Sequence, residues 1–205
     1  MSETAIRPKQ PWGLAVFYII AGVIGWIAAF NLLEDKIELL QNKNFVPSCN
    51  ISILVSCTPN MNSPQGSVFG FPNPILGVGA FMAPLILGVA ILAGARFARW
   101  FWVLFNLGVV GGIVFVIWLM SQSIFDLHTL CPWCMVVWTM MIPMFWYTTF
   151  YNLKTGNIPV GERMRAVFAG LYSWAWVITL ASYAAVAVLA QVRLNWLNEF
   201  AVLFS

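Results

Sequence analysis

Leu130-Cys131-Pro132-Trp133-Cys134-Met135-Val136-Val137-Trp138 opens an apolar run that continues to about Tyr151. A run of this length can cross a bilayer as a helix, at ~20 residues per span. Pro132 suits the first helical position, where its missing N–H costs nothing. Cys131 and Cys134 are three apart, so both sulfurs share one helix face. The positive end of the helix dipole favours a thiolate, the reactive form of cysteine. The stretch therefore places a reactive dithiol at a membrane surface.

The rest of the chain is built for the same environment. Of 205 residues, 61% are hydrophobic and 8% charged, and the mean hydropathy is +0.84. A soluble domain carries about 25% charged residues. The chain therefore reads as an all-α integral membrane protein forming a single transmembrane domain over 1–205. Five spans are expected, roughly 12–33, 74–95, 100–120, 131–151 and 166–192. Glu34 to Asn44 reads as a short surface helix. Residues 34–73 form a polar loop that holds Cys49 and Cys57, among turn residues such as Pro59, Asn60, Pro64 and Gly66. Met1–Pro11 reads as a polar tail and Arg193–Ser205 as a surface tail. The first apolar run is too long for a cleavable signal peptide, and no small-residue cleavage site clearly follows it. Gly77, Gly79, Gly88, Gly108, Gly111 and Gly112 are expected to let helices approach closely.

Net charge is +3, and no basic block points to nucleic acid. The placement of cations matters more. With a cytoplasmic N-terminus, Arg7, Lys9, Arg96, Arg99, Lys154, Arg163 and Arg165 lie inside, and Lys36, Lys43 and Arg193 outside. Seven against three fits the positive-inside rule. All four cysteines then face the non-cytoplasmic side, where disulfides persist.

Two cysteine pairs on one membrane face suggest a relay, because thiol–disulfide exchange moves two electrons by thiolate attack on a disulfide sulfur. A loop pair can meet a soluble partner. A pair at a helix start can meet a carrier in the bilayer, and the bilayer's two-electron acceptor is a quinone. Blander readings stand beside this one. Cys49 and Cys57 could form a purely structural disulfide, and the whole chain a non-catalytic, disulfide-bonded scaffold. Four cysteines could bind zinc, although such sites usually belong to folded soluble modules; no metal is expected. Asn73 could be a helix cap, Ser63 turn chemistry, and His128 and Asp126 solvated loop residues. Phe69, Phe71 and Phe81 could wall a ligand or simply pack.

The ordered set of motifs resembles the vitamin K epoxide reductase family, specifically its bacterial disulfide-forming members. The resemblance covers roughly Trp12 to Tyr151. It rests on Cys49-x7-Cys57, then Ser63, Gly66 and Phe69-Gly70, then Asn73-Pro74-Ile75-Leu76-Gly77, then Cys131-Pro132-Trp133-Cys134. It implies a four-helix transmembrane bundle around a quinone (menaquinone, ubiquinone or vitamin K type), here with a fifth helix added. It implies that Cys49 and Cys57 oxidise a thioredoxin-fold (DsbA-like) protein, and that Cys131 and Cys134 pass the electrons on. Asn73, Ser63 and Trp138 are the implied quinone-site residues. Trp138 stands where many members carry a Tyr, and an indole N–H can donate but not accept. Since no thioredoxin-like domain follows the last span, the partner is expected to be a separate protein. The implied location is the bacterial inner (plasma) membrane. The same four sulfurs would also serve vitamin K epoxide or quinone reduction. A DsbB-like enzyme is a convergent alternative, but there the C-x-x-C pair precedes the other pair.

Overall fold

The computed structural model describes residues 10–42 and 44–198. The tail ahead of Gln10, Lys43 and the tail from Glu199 onward lie outside them, and with them Arg7, Lys9 and Lys43 of the charge count. Among the described residues the regular structure is helical, apart from one isolated parallel bridge between Val55 and Leu130.

The helices are α1 (Trp12–Gln41), α2 (Thr58–Asn62), α3 (Pro74–Leu92), α4 (Arg99–Ser121), α5 (Pro132–Thr155), α6 (Glu162–Ser173) and α7 (Ala175–Leu194). A 3-10 turn, Pro64–Ser67, follows α2, and a π-helical turn, Gln122–Asp126, extends α4. Among the described residues, four helices are long and apolar enough to cross a membrane: α1, α3, α4 with its π turn, and α7. The chain is a multi-pass membrane protein. α5 is long enough as well, at 24 residues, but its Trp, Tyr, Thr and Pro side chains dilute its hydropathy. It lies at the centre, in contact with α1, α4, α6 and α7.

Two expected boundaries change. The surface helix expected at Glu34–Asn44 is the continuation of α1, which runs unbroken to Gln41. No Gly or Pro interrupts it there, and Leu, Glu and Lys are good helix formers. The helix expected over 166–192 breaks at Trp174 into α6 and α7. α6 begins Glu162-Arg163-Met164-Arg165, too polar to enter hydrocarbon. Only α7 of the two is a candidate span.

α1 and α3 form the tightest pair. The buried face of α1 recurs at three- and four-residue steps through Leu14, Ala15, Tyr18, Ala21, Gly22, Gly25, Ala28, Ala29 and Leu32. That is one helical stripe, mostly of small residues. A Cβ at Gly22 would meet Leu85 Cβ at 2.9 Å, and one at Gly25 would overlap the Phe81 ring. Of the six glycines expected to allow close approach, Gly77, Gly88 and Gly112 do so, against Ala29, Ala15 and Met141. Gly79, Gly108 and Gly111 face open space instead. Gly108 and Gly111 line a cavity between α3 and α4.

Candidate active site

Local chain geometry brings the loop cysteines to the helix cysteines. The Leu130 N–H donates to Leu54 O (2.7 Å), and the Ser56 N–H donates to Leu130 O (3.0 Å). Ser56 and Leu130 immediately precede Cys57 and Cys131, so this bridge sets the two sulfurs side by side. Cys131 Sγ lies 3.3 Å from Cys57 Sγ, and both residues are fully buried. Cys57 is disulfide-bonded to Cys49, while Cys131 and Cys134 are free thiols. Leu32, Met61 and Trp133 pack around the sulfurs.

The loop is held by side-chain hydrogen bonds, above all those of Asn50. Asn50 Oδ1 accepts from Ser56 Oγ (2.7 Å), Cys57 N (2.9 Å) and Thr58 N (3.3 Å), and Asn50 Nδ2 donates to Thr58 Oγ1 (2.8 Å). The available signal was an Asn next to Cys49, a residue type that bonds its own neighbouring backbone. Lys36 Nζ, on the extension of α1, donates to Met61 O (2.8 Å) and Asn62 Oδ1 (3.1 Å) and ties α2 down. Asn60 donates to Thr129 Oγ1 (3.0 Å) and accepts from Ser123 Oγ (3.0 Å), joining α2 to the segment before Cys131. Gly66 is required where it stands, because a Cβ would lie 2.5 Å from Asn60 O.

Cys131 occupies the cap position just before α5, and its sulfur accepts from the Cys134 N–H at 3.4 Å. Its pKa is lowered, first by the hydrogen bond from the Cys134 side chain and further by the backbone N–H groups of Cys134 and Trp133. Burial and the negative charge of Asp35 oppose this. The Asp35 carboxylate also stands 3.6 Å from Cys49 Sγ. Donors aimed at one buried sulfur favour its thiolate.

Behind Cys134 a cavity of about 690 Å³ opens between α3 and α4, closed at one end by the 3-10 turn. Cys134, Trp138, Asn73 and Ser63 all line it; Cys49, Cys57 and Cys131 do not. Phe69 and Phe81 are in its wall, whereas Phe71 and His128 are not. Ser63 caps the 3-10 turn: its hydroxyl donates to Asn60 O (2.9 Å) and accepts from Gly66 N (3.2 Å). Asn73 braces the loop, with Nδ2 donating to Gln65 O (2.6 Å) and Oδ1 accepting from Val68 N (3.1 Å). One Nδ2 hydrogen remains for a ligand. Gln65 is a further wall residue not singled out from sequence; its Nε2 donates to Asp126 Oδ2 at 2.7 Å. His128 is exposed, with Nδ1 3.0 Å from Asp126 O. Among the described residues no group of His, Cys, Asp or Glu could hold a metal ion. A mostly apolar cavity with a few convergent polar groups suits a flat, lipid-soluble ring.

The fold and these four sulfurs define a membrane-embedded thiol site joined to an apolar cavity. The chain matches the model of the Vitamin K epoxide reductase family over residues 16–149 and belongs to that family. Membership makes it a membrane oxidoreductase. No curated protein matches the chain.

Proposed function

We propose that the protein is a quinone-linked thiol oxidoreductase that reoxidises a separate thioredoxin-fold partner and so supports disulfide-bond formation. The observation that carries this reading is the 3.3 Å contact between Cys131 Sγ and Cys57 Sγ, beside a Cys134 on the cavity wall. The chain acts as one transmembrane unit.

A partner thiolate attacks Cys49, the less buried loop sulfur, and Cys57 leaves as a thiolate. The partner's second thiolate displaces Cys49, and the partner departs as a disulfide with both loop sulfurs reduced. The Cys57 thiolate attacks Cys131 of an inner Cys131–Cys134 disulfide, and Cys134 leaves as a thiolate facing the cavity. Cys49 then attacks Cys57 and releases Cys131. Two electrons now sit on the inner pair and the loop pair is again a disulfide, the bonding found in the structure. A bound quinone supplies the final acceptor of two electrons and two protons, leaving the inner pair oxidised. The free Asn73 amide hydrogen and the Trp138 indole N–H are the donors that would orient a carbonyl.

Five crossings, α1, α3, α4, α5 and α7, put the sulfurs outside a bacterial plasma membrane and the N-terminus inside. What supports this is charge: Arg99 and Arg165 contact the Gly156–Asn157 turn at the far end of α5 from Cys131. The test is turnover of the purified chain with a reduced thioredoxin-fold protein and a soluble quinone. One quinone should be consumed per partner disulfide formed, and each Cys→Ser variant should stop the reaction. Partner oxidation without quinone loss would reject the reading.

A further inference from the structure

A second cavity, of about 950 Å³, lies where the start of α1, the last turns of α5 and the body of α6 meet. It shares no lining residue with the cavity behind Cys134. Its wall is largely aromatic, with Trp12, Phe17, Tyr147, Tyr151 and Tyr172. Lys154 also lines it. The Lys154 ammonium sits over the Tyr172 ring, 3.1 Å from its centroid, and 5.8 Å from that of Tyr151. No carboxylate is found among the described residues that line the cavity.

We infer that this cavity binds the phosphate headgroup of an anionic phospholipid, with Lys154 as the charge that selects it. Three features converge. Trp and Tyr gather where a membrane protein meets headgroups, so an aromatic cavity at a bundle end lies at phosphate depth. The rings hold the ammonium in place by its attraction to their π faces. That leaves its N–H groups without a carboxylate among the described residues that line the cavity, and a phosphate oxygen is the acceptor that makes the strong, charge-assisted bond. The tyrosine hydroxyls can donate to the remaining oxygens, while Leu14 and Phe17 offer an apolar path for an acyl chain. Basic pockets between helices hold lipid headgroups in this way. The inference does not depend on the proposed relay, since none of its residues touches a sulfur.

Native mass spectrometry of the full chain in a neutral detergent tests it, with phosphatidylglycerol and phosphatidylcholine of equal chain length competing. The expected result is a preference of about fivefold for phosphatidylglycerol, the factor one basic contact supplies at a membrane surface. Lys154→Gln should abolish the preference, Lys154→Arg should keep it, and Arg96→Gln, outside the cavity, should leave it unchanged. Thermal unfolding of each variant without lipid separates misfolding from lost binding. Equal binding of the two lipids would overturn the inference, as would an equal loss in Lys154→Gln and Arg96→Gln, which marks a diffuse basic surface. Displacement of the lipid by millimolar inorganic phosphate would make free phosphate the ligand and overturn the lipid assignment. A preference that appears only after removal of residues 2–9 would make the chain's own N-terminal segment the occupant, with the same consequence.

Discussion

The sulfur that Cys131 meets is that of Cys57, 3.3 Å away, within the Cys49–Cys57 disulfide. Attack at this contact would form a Cys57–Cys131 bond and release Cys49 as a thiol, with no change in total oxidation state. Cys134 is the thiol placed to undo that bond. In Cys134→Ser the mixed disulfide should therefore accumulate, because an alcohol does not resolve it. Non-reducing digestion and mass spectrometry should recover a peptide joining the 34–73 loop to α5, together with one free thiol at Cys49. A Cys49–Cys131 peptide instead would reverse the order of the two loop cysteines.

The same pair predicts a pH dependence. The Cys134 side chain is the largest influence lowering the Cys131 pKa. Removing that donor raises the pKa, so the thiolate is lost at a higher pH as acid is added. Cys134→Ala should shift the acid limb of Cys57–Cys131 bond formation to higher pH than Cys134→Ser, whose hydroxyl still donates. Rates of mixed-disulfide formation across pH in the two variants are the measurement. Superimposed profiles would mean that the backbone N–H groups of Trp133 and Cys134 suffice.

Asn50 makes four hydrogen bonds that shape the turn between the loop cysteines. Asn50→Ala leaves the Cys57 and Thr58 N–H groups short of an acceptor, at a cost of about 1–3 kcal/mol in a buried setting. Thermal unfolding should show the loss, and Cys57–Cys131 cross-linking in a Cys134→Ser background should slow. Asn50→Asp keeps the acceptor and should do less harm. Equal effects of the two substitutions would mean that the Thr58 bond dominates.

How much of this could be read in the chain is clearest at particular residues. The C-x-x-C at the head of α5 was legible because Pro132 and the apolar run behind it are local signals. The first three spans were legible for the same reason, although α1 runs eight residues past its expected end. The break at Trp174 was not, since residues 166–173 and α7 are both apolar and neither a proline nor a charge marks the boundary. The Val55–Leu130 bridge joins segments far apart in sequence, and no periodicity reports such a pairing. Asn73 and Ser63 line the cavity behind Cys134, but their bonds to Gln65, Val68, Asn60 and Gly66 are properties of the folded loop that no local pattern reports. Glycine spacing alone also misjudged Gly108 and Gly111, which border space that the helices leave open.

Asn73 is braced by Gln65 O and Val68 N while one amide hydrogen remains available. Asn73→Ala should slow quinone reduction by at least about fivefold, equivalent to one lost hydrogen bond of about 1 kcal/mol. Partner oxidation in a single turnover should change less, because the sulfurs are positioned by Asn50 and the bridge. Stopped-flow measurement of each half-reaction separates the two. Equal losses in both would reduce Asn73 to a loop brace.

Gly25 faces the Phe81 ring, and Phe81 in turn lines the cavity behind Cys134. A methyl group at position 25 overlaps that ring, so either the α1–α3 pair separates or the ring swings into the cavity. Overpacking of this kind costs about 1–3 kcal/mol. If the helices hold, Gly25→Ala shrinks the space for a quinone ring and should raise the quinone KM while leaving the partner half-reaction near its normal rate. Pairing it with Phe81→Leu restores room and should bring the KM back. If the helices separate instead, Phe81→Leu restores stability and the KM together, and a melting curve of the single variant tells which response occurs. A Gly25→Ala protein with unaltered KM and unaltered melting would show that α1 and α3 tolerate the extra carbon, and that the ring contact does not shape the cavity.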